Sequence, residues 1–194
     1  MRLGVAHHLG WAVAVTASSD HEVHDRRRIE LVDSGLPAAP VHHVGGPHAL
    51  HRPGAPVDDA ELASLVARVR ASAARAATAA LDELAAGVAT PIVSVALAAW
   101  PPGFPEDIAV QRRVPYESRA DSVMYRQVLA DAARRRGWAV HLYEAKSVEP
   151  DATRLLGARA HDVLHGPRAT LGPPWSKDHR MALAATVLAG SGAS

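Results

Sequence analysis

The 194-residue chain contains no cysteine. That absence excludes disulfide bonds, a thiolate nucleophile, iron–sulfur clusters and cysteine-bound zinc. Reactive chemistry therefore has to come from histidine, carboxylates, serine or tyrosine. Aromatic residues make up only 4% of the chain. No run approaches the roughly 20 apolar residues of a membrane-spanning helix, so we predict no membrane span.

Neither sign of charge is in excess, since 21 basic residues face 20 acidic ones and the formal net charge is +1. Without an overall positive field, non-specific binding to nucleic acid or to a membrane surface is not indicated, although a local basic patch is compatible with these numbers. Lysine is scarce: only Lys146 and Lys177 occur. The abundance of alanine, glycine, proline and arginine is typical of a GC-rich genome, so arginine content alone is no functional signal.

Length and composition predict a single domain over residues 1–194, because 48% hydrophobic residues are enough for a full core. The apolar run from Leu3 to Ala17 is similar to a short signal peptide. His7 and His8 interrupt it, however, and Arg2 is its only flanking charge. We therefore expect no signal peptide and a cytoplasmic protein.

The first third of the chain reads as β structure. Leu3 to His7 and Trp11 to Thr16 predict a hairpin around a short turn, and the alternation from Glu22 to Val32 predicts a half-exposed edge strand. Residues 37–56 form a Pro/Gly/His-rich segment without periodicity, which predicts an irregular loop.

Helices and strands alternate in the rest of the chain. A long helix is expected from a cap at Asp58 or Asp59 to Ala86, and a buried strand from Pro91 to Trp100. The later predictions are an irregular connector over 101–115, a helix over 120–136 with capping-box-like Ser118 and Asp121, a strand over 138–144, a short helix over 150–165 interrupted at Gly157, and a terminal helix capped by Ser176.

This order, three antiparallel strands followed by α-β-α-β-α, resembles the ribonuclease H-like superfamily and its resolvase-type branch. Leu3-Gly4-Val5 before a Gly10-containing turn and Asp178 at the start of an Ala-rich last helix also resemble it. The resemblance implies an α/β fold with a mixed sheet and helices on both faces. For nucleases of this superfamily it also implies two magnesium ions, held by carboxylates on strand 1, on or after strand 4, and near the last helix.

The chain departs from that metal-binding pattern at two of the three positions. The strand 1 position falls at Ala6, and no carboxylate lies between Ile92 and Trp100. Only Asp178 corresponds to the family's carboxylates. Either the chemistry has been rebuilt around histidine or the fold has been kept without catalysis.

A rebuilt site would lie at the carboxyl ends of the central strands, where open α/β sheets bind ligands. His7 and His8 end strand 1, the segment from Tyr116 to Ser122 enters a helix, and Asp178 and His179 begin the last one. Because adjacent strand residues point to opposite faces, only one of the two histidines can serve a given site. A His/carboxylate group would suit a divalent ion (Mg, Mn or Zn), while arginines and helix N-termini would suit a phosphate.

The candidate residues follow from this arrangement. Candidate catalytic residues are His7, His8, Glu117, Asp178 and His179; candidate substrate-binding residues are Tyr116, Arg119, Ser122, Trp175, Lys177 and Arg180; candidate metal ligands are Asp178 and His7. Each also has a structural interpretation. Arg119 would then pair with Glu117, and Trp175, beside two prolines, would be a packing anchor.

Two other histidine groups are weaker candidates for transition metals. His42, His43, His48 and His51 lie at irregular spacing in the loop. His161 and His165 have the i, i+4 spacing of zinc-binding helices, but Asp162 stands where zinc proteases carry glutamate. No organic-cofactor motif is present.

Three functions are compatible with the sequence. The first is a hydrolase of a phosphodiester or nucleotide, with Asp178 and one of His7 or His8 as metal ligand or base and with Arg119 and Arg180 binding phosphate. The second is a catalytically inactive module of the same fold that binds nucleic acid or a protein partner. The third is a small-molecule enzyme that uses Tyr116, Glu117 and His179 in a closed pocket.

Overall fold

The computed structural model describes residues 1–46 and 57–191. Five strands form one mixed sheet in the order β3-β2-β1-β4-β5. The strands are β1 (Arg2–His7), β2 (Trp11–Ala17), β3 (Val23–Glu30), β4 (Ser94–Ala98) and β5 (Ala139–Tyr143). The first three are antiparallel neighbours, and β4 runs parallel to β1 and β5. This α/β architecture confirms the predicted fold class, and its strand order is compatible with a ribonuclease H-like topology.

Helices connect and cover the strands. Those within the described residues are α1 (Asp59–Ala86), α2 (Ile108–Gln111), α3 (Glu117–Arg134), α4 (Val148–Leu156), α5 (Ala160–His165), α6 (Pro167–Leu171) and α7 (Lys177–Ser191). A π-helical segment spans Pro40–Gly45, and a 3-10 turn spans Gly157–Arg159. Within these ranges no helix combines the length and apolarity needed to cross a bilayer.

The two faces of the sheet carry separate hydrophobic cores. Leu3 and Val5 contribute to the core under α1 and α3, whereas Ala6 contributes to the core under α4, α5 and α7. The alternation along β1 explains this split, because successive strand residues point to opposite faces. Residues at the end of β1 therefore face either α3 or α7.

Gly4 allows α7 to lie directly against β1. A Cβ atom at this position would be 1.8 Å from the carbonyl oxygen of Ala182. Because a side chain there would overlap the helix backbone, the close approach requires glycine. It sets the depth at which α7, and with it Asp178, lies over the sheet.

Helix α1 matches its prediction closely. The Asp58 side chain accepts a hydrogen bond from the Glu61 backbone N–H at 2.7 Å, as an N-cap should. Small residues such as Ala73 and Ala77 are completely buried on its inner face. The predicted break at Gly157 is also confirmed, since α4 ends there and Gly157 has φ +56°.

Helix α3 begins at Glu117, three residues earlier than predicted, and the predicted caps are wrong. No side chain caps its first turn. The buried Asp121 carboxylate instead accepts hydrogen bonds from the backbone N–H groups of Val41 at 3.0 Å and His42 at 2.9 Å. This long-range contact explains why part of the predicted irregular loop is a π-helical segment.

Other differences are local. The connector over 101–115 contains the one-turn helix α2, because Asp107 accepts from the Ala109 N–H at 2.9 Å and caps it. Residues 167–171 form α6, which was not predicted. Strand β4 is shorter than expected, whereas the predicted edge position of β3 is confirmed. His48 and His51 lie outside the described residues.

Candidate functional site

The tip of the first hairpin meets the start of the last helix. His8 Nε2 lies 3.1 Å from Asp178 Oδ2. The His8 ring stacks on Trp11, with centroids 4.0 Å apart and an interplanar angle of 11°. Both groups reach solvent, since 42% of the His8 side chain and 26% of the Asp178 side chain are exposed. We refer to this pair as the His8–Asp178 dyad.

The first turn of α7 is held by a histidine rather than by a carboxylate. The backbone N–H of Ser176 donates to His179 Nδ1 at 3.2 Å, and Ser176 Oγ lies 2.8 Å from the same nitrogen. This is one half of a capping box, with His179 in the third helical position and its side chain accepting from the residue that precedes the helix. Burial and the charge of Arg26 lower the pKa of His179, against a smaller opposite effect of Asp178. A neutral His179 therefore fixes the turn that carries Asp178.

Arg26 holds the preceding turn. Its Nη1 donates to the carbonyl oxygen of Gly172 at 2.8 Å and to that of Pro174, and its Nη2 donates to Leu171 at 2.8 Å. Sequence reasoning missed this role, because a charged residue on an edge strand reads as solvent-exposed. Its partners lie about 146 residues further along the chain, where no local pattern links them.

An open cavity of about 460 Å³ lies beside the dyad on the side of Asp178, and we refer to it as the dyad cavity. Its lining comprises Trp11, Val13, Arg26, Arg27, Arg28, Pro174, Ser176, Asp178 and His179. The Arg28 guanidinium lies 3.9 Å from the Trp11 ring centroid and also pairs with Glu30. Arg27 pairs with Asp25 at 2.7 Å. The charges of Arg27 and Arg28 are thus paired with carboxylates, whereas Arg26 bonds neutral carbonyl groups and leaves the wall formed by β3 with a positive charge.

His7 faces the other side of the sheet. Its Nε2 accepts a hydrogen bond from Arg126 Nε at 2.8 Å. Burial, followed by the charges of Arg126 and His8, lowers the pKa of His7 to about 3. The structure therefore brings His8 to Asp178 and places a neutral His7 against α3. Arg126, which sequence reasoning did not single out, is the residue that holds it there.

The predicted residues at the start of α3 have other surroundings. Tyr116 contacts Phe104 edge-to-face, with ring centroids 5.7 Å apart, and Glu117 is buried. Arg119 is exposed, and its carbonyl oxygen accepts a hydrogen bond from Ser122 Oγ at 3.1 Å. None of these four side chains lines the dyad cavity.

The remaining predicted residues flank α7. Trp175 is 7% exposed, packs in the core under α7 and donates its indole N–H to the Leu164 carbonyl at 2.8 Å. These contacts indicate a packing role. Arg180 Nε is bound to Glu149 Oε1 at 2.9 Å. Lys177 lines a different cavity, between α4 and α7.

The residues present do not fit the two-magnesium site of the resembling nucleases. Ala6 is buried under α7 where those proteins carry aspartate, and β4 (Ser94–Ala98) has no carboxylate. Over residues 1–46 and 57–191, no group of three or more His, Cys, Asp or Glu side chains is arranged to hold one ion. Two hard cations would need more oxygen ligands than Asp178 supplies.

Comparison with protein-family models finds no match to this chain. A search of curated proteins likewise finds no relative. The fold and site therefore define an α/β protein whose strand order is compatible with a ribonuclease H-like topology and in which a His–Asp pair lies beside an open cavity.

Proposed function

We propose that this protein is a hydrolase acting on a phosphodiester or nucleotide, with His8 as general base and Asp178 as the residue that orients it. The observation that carries the proposal is the 3.1 Å contact between His8 Nε2 and Asp178 Oδ2, beside an open cavity that Asp178 lines. In many enzymes one ring nitrogen of a histidine takes a proton, while a carboxylate bonded to the other ring nitrogen orients the base.

In this proposal His8 moves one proton. A neutral His8 that donates Nε2–H to Asp178 keeps the lone pair on Nδ1, which can take a proton from an attacking water. The water oxygen forms a bond to phosphorus as the bond to the leaving oxygen breaks. The proton held on His8 then passes to that leaving oxygen, so the base is regenerated.

The surroundings favour an anionic substrate. Arg26, Arg27 and Arg28 line one wall of the dyad cavity, and guanidinium groups bind phosphate oxygens well. Trp11 lines the same cavity, and its ring contacts the Arg28 guanidinium. In this proposal Arg28 binds phosphate by exchanging its exposed partner Glu30 for the ligand, and Arg26 adds a positive charge nearby. Arg180 is bound to Glu149, and Arg119 lies on α3.

A binding module without turnover is the second candidate. Ala6 and the carboxylate-free β4 favour it, since the metal chemistry of the resembling nucleases has no ligands there. A small-molecule enzyme using Tyr116, Glu117 and His179 has less support, because Tyr116 packs on Phe104 whereas His179 bonds Ser176.

The test is hydrolysis of bis(p-nitrophenyl) phosphate, p-nitrophenyl phosphate and single-stranded oligonucleotides, with EDTA and with Mg²⁺, Mn²⁺ or Zn²⁺. We expect His8→Ala and Asp178→Asn each to lower the rate by about 10²- to 10⁴-fold. The sequence predicts that a divalent ion takes part. If so, EDTA should abolish turnover and one of the three ions should restore it.

The chain offers a matched control. His161 and Asp162 also form a His–Asp contact, at 3.7 Å, but both are almost fully exposed on α5. His161→Ala and Asp162→Asn should leave the rate unchanged. Unaltered turnover in Asp178→Asn would contradict the proposal. Salt-dependent nucleic-acid binding without turnover under any condition would favour the second candidate.

A further inference from the structure

We propose that a second cavity, between α4 and α7, binds the phosphate group of a small organic phosphate, such as a nucleoside monophosphate, through Lys146 and Lys177. The cavity has a volume of about 690 Å³, within the range of small-molecule sites. The lining residues that matter here are Lys146, Val148, Glu149, Pro150, Lys177 and Met181. We refer to it as the lysine cavity.

The lysine cavity contains both lysines of a chain whose other basic residues are all arginines. Lys146 follows β5, and Lys177 is the first residue of α7. Across the described ranges, neither ammonium group has a carboxylate partner. Glu149, which also lines the cavity, is bound to Arg180 at 2.9 Å. The two lysine charges are therefore left for a ligand.

Charge and shape together indicate the class of ligand. A lysine ammonium is a compact charge with three rotatable donors. Two ammonium groups together match the two negative charges of a phosphate monoester. Val148, Pro150 and Met181 give the same cavity an apolar wall. That wall suits a nonpolar or planar group attached to the phosphate, which inorganic phosphate lacks.

The lysine cavity and the dyad cavity lie on different sides of the first turn of α7. Lys177 and Met181, four residues apart, share one helix face, whereas Asp178 and His179 line the dyad cavity. The choice of a phosphate ester rests on the proposed function. Binding in the lysine cavity nevertheless requires neither His8 nor Asp178, so the two proposals can fail separately.

The scarcity of lysine makes a direct test possible. Reductive methylation with ¹³C-formaldehyde keeps the positive charge and labels only Lys146, Lys177 and the amino terminus of a tag-free protein. Lys146→Arg and Lys177→Arg each remove one NMR signal and so assign the spectrum. Adenosine monophosphate, adenosine and inorganic phosphate are then titrated into the wild type and into Asp178→Asn.

We expect adenosine monophosphate to shift both lysine signals and to leave the signal of Met1 in place. In calorimetry on unmodified protein, Lys146→Ala and Lys177→Ala should each weaken its binding about tenfold or more. Arg154→Ala, which removes an exposed cation of α4, should not change the affinity. Adenosine should bind more weakly than its monophosphate.

Unmoved lysine signals, or equal affinity in the lysine variants and the wild type, would overturn the inference, as would the absence of any binding by the wild type. Binding that needs both lysines and persists in Asp178→Asn would support it. The same binding result without any turnover would leave the inference standing and remove the proposed hydrolase function.

Discussion

Arg26 Nη1 donates a hydrogen bond to the carbonyl oxygen of Gly172 at 2.8 Å, which ties the edge strand β3 to the turn before α7. The same guanidinium reaches Leu171 through Nη2. A planar group with several fixed donors can serve adjacent carbonyls in this way, whereas a lysine ammonium is a single point charge. The position of Asp178 therefore depends on a residue of another element.

We expect Arg26→Ala to lower the free energy of unfolding by about 1–3 kcal/mol, because several carbonyl oxygens lose a charged donor. Amides in the first turn of α7 should exchange faster with deuterium, which mass spectrometry or NMR can measure. Arg154→Ala is the control, since Arg154 is exposed and pairs with its helix neighbour Asp151. Equal exchange in the wild type and Arg26→Ala would show that the turn is held by other contacts.

Gly4→Ala tests the close approach of α7 to β1. The added Cβ would be 1.8 Å from the Ala182 carbonyl oxygen, so strand and helix have to separate. We expect a loss of about 1–3 kcal/mol or more in chemical denaturation, as for other overpacked cores. Gly35→Ala is the matched control, because no atom of residues 1–46 or 57–191 lies within 4 Å of a Cβ built at Gly35. Equal stability of the two variants would contradict the observed packing.

His7 provides a test of the electrostatics on the opposite face of the sheet. Burial and Arg126 lower the pKa of His7 to about 3, so its ring signals should not titrate between pH 8 and pH 5 in NMR spectra. The unfolded chain takes up this proton near pH 6.5, before the folded protein does. The contribution of neutral His7 to the stability is therefore present above about pH 6.5 and is lost as the pH falls toward 3. A His7 titration near pH 6.5 would contradict the buried position.

Much of the fold follows from local sequence patterns. The hairpin, the long helix after Asp58 and the break at Gly157 were predicted because periodicity, capping and glycine signals act over a few residues. The meeting of the hairpin tip with the last helix followed from the predicted strand order. The structure adds that His8, rather than His7, contacts Asp178, as alternation along β1 requires once the face of α7 is known.

The errors arise where a partner lies far away in sequence. Asp121 looked like a helix cap because its spacing from Ser118 was right, yet its carboxylate binds the amides of Val41 and His42. Arg26 and Arg126 were not singled out, since their partners lie on other elements. Such contacts depend on tertiary packing, which overrides local propensity and has no periodic signal.

Trp175 allows the packing interpretation to be measured. Trp175→Ala should lower the free energy of unfolding by about 3–5 kcal/mol, the cost of removing a large buried side chain. Trp175→Phe should cost less, but it leaves the Leu164 carbonyl without its donor, which is worth about 1 kcal/mol. If Trp175→Phe instead weakened the binding of a nucleic-acid ligand without any loss of stability, Trp175 would stack on a base of that ligand.

Asp121 gives the stability a distinctive dependence on pH. Burial raises the pKa of Asp121 from 3.8 to about 6, partly offset by the hydrogen bonds from the backbone N–H groups of His42 and Val41. The folded protein therefore holds this proton at pH values where the unfolded chain has released it. This contribution to stability is fully present below pH 3.8 and is lost as the pH rises through about 6.

Asp121→Asn removes the titration but keeps an oxygen that accepts a hydrogen bond. We expect the unfolding free energy of the wild type, relative to Asp121→Asn, to fall by about 2–3 kcal/mol between pH 4 and pH 7. Chemical denaturation at several pH values measures the difference, and comparison with the variant cancels groups that titrate in both proteins. Asp162→Asn, at an exposed carboxylate, should give a difference that does not vary with pH. A constant difference for Asp121→Asn would mean that its carboxylate is already ionised at pH 4, because the two amide donors outweigh burial.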